Sequence, residues 1–186
     1  MKQIHLLWLA TVVALVAVIP QAQAQFGGIA KGLAGSVTAE SLNGDLFGGL
    51  DFFAKAQVHF ANALQPATDA AKLKALLDEA KSHDETLAAV KSANDANLKK
   101  AQEAKAKGEA FSAEATAEIS KGKGEIGKGI AKWAAVGTSL GIAASKGGGD
   151  AALLAAIPTA TEMIKDLPAL KKMNDAINEL KPLMKK

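Results

Sequence analysis

Between Lys121 and Ile130 the chain reads KGKGEIGKGI. Gly122 and Gly127 stand five apart and Lys128 follows, which is most of the G-x-x-x-x-G-K pattern that cradles nucleotide phosphates. A working phosphate loop follows a strand, opens a helix, and carries a Ser or Thr after the lysine to hold magnesium. Here an Ala- and Glu-rich stretch of helical pattern precedes it, and Gly129 stands where the hydroxyl should be. No nucleotide site is expected. The glycines instead read as a mechanical break, with Gly122 and Gly124 loosening the end of a charged helix so that the chain turns into a different kind of segment.

The other residues able to do chemistry are sparse. Past the first 24 residues there are two histidines, His59 and His83, and the whole chain has no cysteine. A zinc site needs three or four ligands at fixed spacing, and neither histidine has a His-x-x-x-His partner or a tight carboxylate cluster. No metal and no other cofactor is expected. Asp84 and Glu85 adjoin His83, but consecutive helical residues point in different directions. His83 falls in an apolar stripe, and a half-buried histidine there is a candidate pH-sensitive residue. The plainer alternative is a histidine at a helix junction bonded to solvent or to a carbonyl. No sequence context places a nucleophile on a strained turn, so the chain is not expected to be an enzyme.

Charge narrows the partners. The formal net charge is +3, falling to about +2 if Lys2 is removed with a leader, so no strong field steers polyanions. Every basic residue is lysine, and arginine, the usual bidentate reader of guanine edges and phosphates, is absent. With aromatics at 4% there is little to stack bases on. Nucleic acid is an unsuitable partner.

The elements that carry these residues are helical. Residues 1–24 read as an export signal: Lys2, an apolar run from Leu6 to Ile19, then Ala22-Gln23-Ala24, with cleavage expected before Gln25. A periplasmic or secreted protein is the expectation. The alternative is an uncleaved anchor, for which the run is short of the roughly 20 residues that span a bilayer. Residues 25–38 form a glycine-rich arm, either mobile or a docking peptide. Residues 39–186 are expected to form a single all-α domain, an elongated helical bundle of long amphipathic helices with a Gly/Ala-rich helical hairpin. Alanine dominates, giving high helix propensity but little buried area per residue, and strand alternation is missing.

Along that domain, Leu46, Leu50, Phe53, Phe60 and Leu64 recur at helical spacing, with Phe47, Ala54, Val58 and Ala61 on an adjoining face, so this helix should be covered on two sides and end at Gln65-Pro66. Thr68 is expected to cap the next helix. A stripe then runs through Leu73, Leu76, Ala80, His83, Leu87 and Val90 and weakens into Asn94, Asn97, Ala101 and Ala104, with oppositely charged pairs four apart on the outer face (Asp95–Lys99, Lys99–Glu103, Glu103–Lys107). Read without a break, Asp69–Ser120 would be one helix about 78 Å long. The Ser82-x-x-Glu85 capping box favours a break near Ser82, and Gly108 offers another. Ile126–Ser145 and a second apolar segment kinked by Pro158 form the hairpin, joined at Gly147–Gly149 and capped by Asp150. Pro168 suits the first turn of a last helix whose one face holds Leu170, Met173, Ile177 and Leu180.

Two functions fit this pattern. One is an exported structural or protein-binding module with a protein partner or self-association. The other is a membrane-active protein that inserts the hairpin 126–164. Gly137 and Gly141, a G-x-x-x-G pair, and Trp133 are the candidate helix-packing or membrane contacts. Against insertion, each limb is about 15 residues, and Lys132 and Glu162 would have to face away from lipid.

Overall fold

A computed structural model describes residues 37–145 and 151–184. The described chain is all-helical: six α-helices and one 3-10 turn, with no strand among these residues. The expected leader, most of the glycine-rich arm, the hairpin turn at 147–149 and the Asp150 cap lie outside them.

Helix α1 spans Ala39–Leu64. Its start is fixed by reciprocal bonds, Ser41 N–H to Thr38 Oγ1 at 3.1 Å and Thr38 N–H to Ser41 Oγ at 3.2 Å. It ends before Pro66, as the sequence indicated. Helix α2, Ala67–Glu79, begins directly after Pro66, whose carbonyl accepts from Asp69 N–H at 2.9 Å and Ala70 N–H at 3.1 Å. The cap expected at Thr68 is therefore not made. Proline starts the helix two residues too early, and Thr68 sits exposed inside the first turn.

Helix α3, His83–Lys107, starts at the anticipated break: Ser82 Oγ accepts from Glu85 N–H at 3.2 Å. Glu85 reaches back to Lys81 N–H at 2.6 Å, one residue beyond the usual capping-box partner. It ends at Gly108, whose φ of +69° is a left-handed C-terminal cap, with N–H donated to Ala104 O at 3.1 Å. On the outer face of α3 Glu103 bonds Lys100 at 2.8 Å, three residues away, and Lys100 holds its carboxyl below the ordinary range.

The largest correction concerns the glycine stretch. Helix α4 runs unbroken from Ala113 to Ser145, straight through Lys121–Ile130. No hinge exists there. Ile119, Ile126, Trp133 and Leu140 stand seven apart, as do Gly122, Gly129, Val136 and Ala143, and all eight are buried. Gly122 and Gly129 thus occupy one row of a continuous packing face, and packing there overrides their poor helix propensity. Helix α5 covers Ala151–Ile164 with Pro158 inside it, and α6 covers Leu167–Glu179, followed by a 3-10 turn at Lys181–Leu183. Leu170, Met173, Ile177 and Leu180 are buried, as expected.

The residues group into two compact units, each taking part of α1 and part of α4. One unit holds the described residues up to Leu46 together with those of Ala131–Lys165. Its core includes Leu42, Leu46, Trp133, Val136, Leu140, Leu153, Met163 and Ile164, and Lys132 pairs with Asp45 at 2.7 Å. The other holds Phe47–Ile130 and the described residues from Asp166 onward. There α1 and α4 run antiparallel, with Phe60 over Gly122 and Phe53 over Gly129. Helices α3 and α6 lie parallel, tied by Lys91–Asp166 at 2.9 Å and Lys105–Glu179 at 2.8 Å.

Candidate functional site

The nominated residues separate. Trp133 is fully buried and its indole N–H donates to Leu46 O at 2.8 Å, so it is a core anchor. Gly137 is buried and Gly141 partly so. His83 is exposed at the first position of α3, not half-buried in a stripe, because the helix starts there and turns its first residue outward. Its ring stacks on Phe47 with centroids 3.5 Å apart and planes 7° from parallel. Leu76, in the same expected stripe, is also exposed.

The single Trp outside the expected leader makes a convenient test of the anchor. Trp133→Phe keeps most of the apolar area and removes the N–H donor. We expect a loss of about 1 kcal/mol in denaturant unfolding, since the Leu46 carbonyl also lies within a helix. No change would show that the indole bond is worth nothing net.

Two polar constellations were missed by sequence reading. The first is a buried amide cluster. Asn97 Nδ2 donates to the Gln57 carbonyl at 3.0 Å and to Gln57 Oε1 at 2.8 Å, while Gln65 Nε2 donates to Asn97 Oδ1 at 2.6 Å. Gln57 Nε2 in turn donates to Asn94 Oδ1 at 3.3 Å, and Asn94 Nδ2 reaches Ala169 O at 3.4 Å. The cluster joins α1, α3 and α6. In the sequence these residues look like a weakening stripe, because an amide on a core face carries no periodic signal of its own. Their three-residue spacing, Asn94 to Asn97, was the available hint.

The second is His59, whose Nδ1 lies 2.8 Å from Glu118 Oε2 across α1 and α4. Lys121 Nζ approaches Glu118 Oε1 at 2.7 Å and Asn62 Nδ2 reaches Oε2 at 3.5 Å. The His59 bond first, then Lys121, draws the Glu118 carboxyl down to about 2. No sequence rule pairs residues 59 apart.

Two hollows on the surface of the second unit are lined by described residues. One, of about 500 Å³, lies between α2 and α3 and is lined by Leu76, Ala80, Ala88 and Ala89 together with Glu79, Lys81 and Glu85. The other, of about 410 Å³, is lined by Leu64, Pro66 and Phe111 together with Lys100, Lys107, Glu103 and Glu109, a balanced set with no charge preference. In the first unit the exposed residues of α5 from Ala151 to Thr159 are Ala151, Ala152, Leu154, Ala155, Pro158 and Thr159, all uncharged. No group of three or more metal-ligating side chains occurs among the described residues. None of their helices is long and apolar enough to cross a membrane.

These features define an all-α helical bundle with a polar seam and an apolar surface hollow. Comparison of the chain with protein-family models, with curated proteins and with solved structures finds no match.

Proposed function

We propose that the chain is an exported helical-bundle protein, periplasmic or secreted, that acts as a structural or protein-binding module. The observation that carries this reading is the α2–α3 hollow. Leu76 remains 49% exposed beside about 500 Å³ of space that three alanines help to line. An apolar hollow with charged neighbours accepts an apolar side chain from a partner helix. The export part rests on the pattern of residues 1–24.

The test places a photo-crosslinking amino acid at position 76 in cells that export the protein. We expect a discrete protein adduct, either a partner or a second copy, on a chain shortened to begin at Gln25. Adducts confined to lipid, or none, would overturn the binding reading; an uncleaved chain retained inside the cell would overturn the export reading.

A second reading, a membrane-active protein that inserts the hairpin 126–164, is favoured by the uncharged exposed residues of α5 between Ala151 and Thr159, where Leu154 is 51% exposed. Dye-loaded liposomes separate the two. The module releases no dye, and an inserting hairpin does.

A further inference from the structure

We propose that the His59–Glu118 pair is a pH-responsive clamp that fastens the end of α1 to α4 more firmly below neutral pH than above it. The geometry carries this. The two side chains are 28% and 22% exposed, far enough from water for their bond to matter, and they meet at 2.8 Å between different helices. The pair sits beside a close helix–helix approach: His59 precedes Phe60, Glu118 lies one turn before Gly122, and Phe60 rests on Gly122. Beyond the clamp α1 continues only to Leu64, and α2 follows at Ala67.

The neighbouring groups leave one variable. From α4 the clamp receives Glu118 and Lys121, which are themselves ion-paired at 2.7 Å. From α1 it receives Asn62, which is neutral, and one turn back Lys55, which is held by Asp51 at 2.6 Å. The α3 side chains bonded to α1 nearby are the uncharged Asn94 and Asn97. Glu118 stays ionised down to about 2. Imidazole is the side chain whose charge changes near neutrality. An imidazolium makes a charge-assisted bond to the carboxylate; a neutral ring makes at most an ordinary one.

The signs follow from the two groups. The charge-assisted bond needs an imidazolium and a carboxylate together, so the stronger form of the contact belongs to the acidic side of neutrality. The carboxylate contribution is present above the ordinary Glu value of 4.5 and is lost as pH falls toward about 2.

A double-mutant cycle on the full chain with His59→Gln and Glu118→Gln, run at pH 5 and pH 8, tests this. We expect the coupling factor in the folding equilibrium to be about three- to tenfold larger at pH 5. Amide exchange, corrected for intrinsic rate, should show residues 59–64 and α2 opening more readily at pH 8, and Glu118→Gln should abolish that difference. Equal coupling at both pH values, or a pH dependence that survives in Glu118→Gln, would overturn the proposal. If His59→Gln does not fold, comparing the ring titration of His59 by NMR in wild type and Glu118→Gln decides instead, and an unchanged midpoint counts against the clamp.

Discussion

Replacing Gly122 and Gly129 together by alanine is expected to destabilise the protein by about 2 kcal/mol, while the same change at Gly124 and Gly127 stabilises it by up to about 1 kcal/mol per site. All four positions lie within ten residues of one helix, and all four gain helix propensity from the methyl group. They differ in what the methyl meets. At Gly122 a Cβ would stand 2.6 Å from the Phe60 ring, and at Gly129 it would stand 2.7 Å from the Phe53 ring. Both rings are wholly buried, so neither can swing aside into solvent. At Gly124 and Gly127 nothing lies within 4 Å. Urea unfolding followed by circular dichroism measures the difference. Four changes of the same sign would show that the rings are not seated on the glycines.

The second large effect is expected at Asn97. Asn97→Ala removes the donor to Gln57 and the acceptor for Gln65 in one step. Gln57 is fully buried and its side chain is left with only the longer bond to Asn94. Each buried polar group without a partner costs on the order of 1–3 kcal/mol, so the variant should lose about 3 kcal/mol. Gln57→Leu combined with Asn97→Leu should lose much less than the sum of the two single changes, because an apolar pair leaves fewer orphans. If the two single losses simply add in the double variant, the amides are not working as one network.

The helices were legible in the sequence where they begin and end. Pro66, Ser82, Gly108 and Pro168 each act locally, through a fixed φ, a missing N–H, a side-chain cap or a left-handed turn, and local physics is what a sequence states openly. Thr68 shows the limit, since the same proline that ends α1 also starts α2 and takes the cap position. The glycine stretch was misread for a different reason. Glycine lowers helix propensity wherever it stands, and only the facing Phe53 and Phe60 convert that loss into a close approach. Those rings lie 62 to 76 residues away along the chain, a separation at which composition is silent. The polar contacts were hidden in the same way. His83 drew attention because it fell in an apolar run, yet it is His59, in an unremarked place on α1, that meets a carboxylate.

The unbroken course of α4 bears on the order in which the chain folds. Four glycines in ten residues leave Lys121–Ile130 with little helical preference of its own, each being disfavoured by roughly 1 kcal/mol against alanine. An isolated segment of that composition does not hold a nucleus, because nucleation already demands several fixed dihedrals for one bond. Packing of its buried face, including the two glycines under the phenylalanine rings of α1, offsets that loss. The middle of α4 is therefore expected to become helical only once α1 has formed and docked. Trimming Phe53 or Phe60 would slow folding if that docking belongs to the transition state and would speed unfolding if it comes later. The glycines make this part of the helix a result of tertiary structure, not a preformed piece of it.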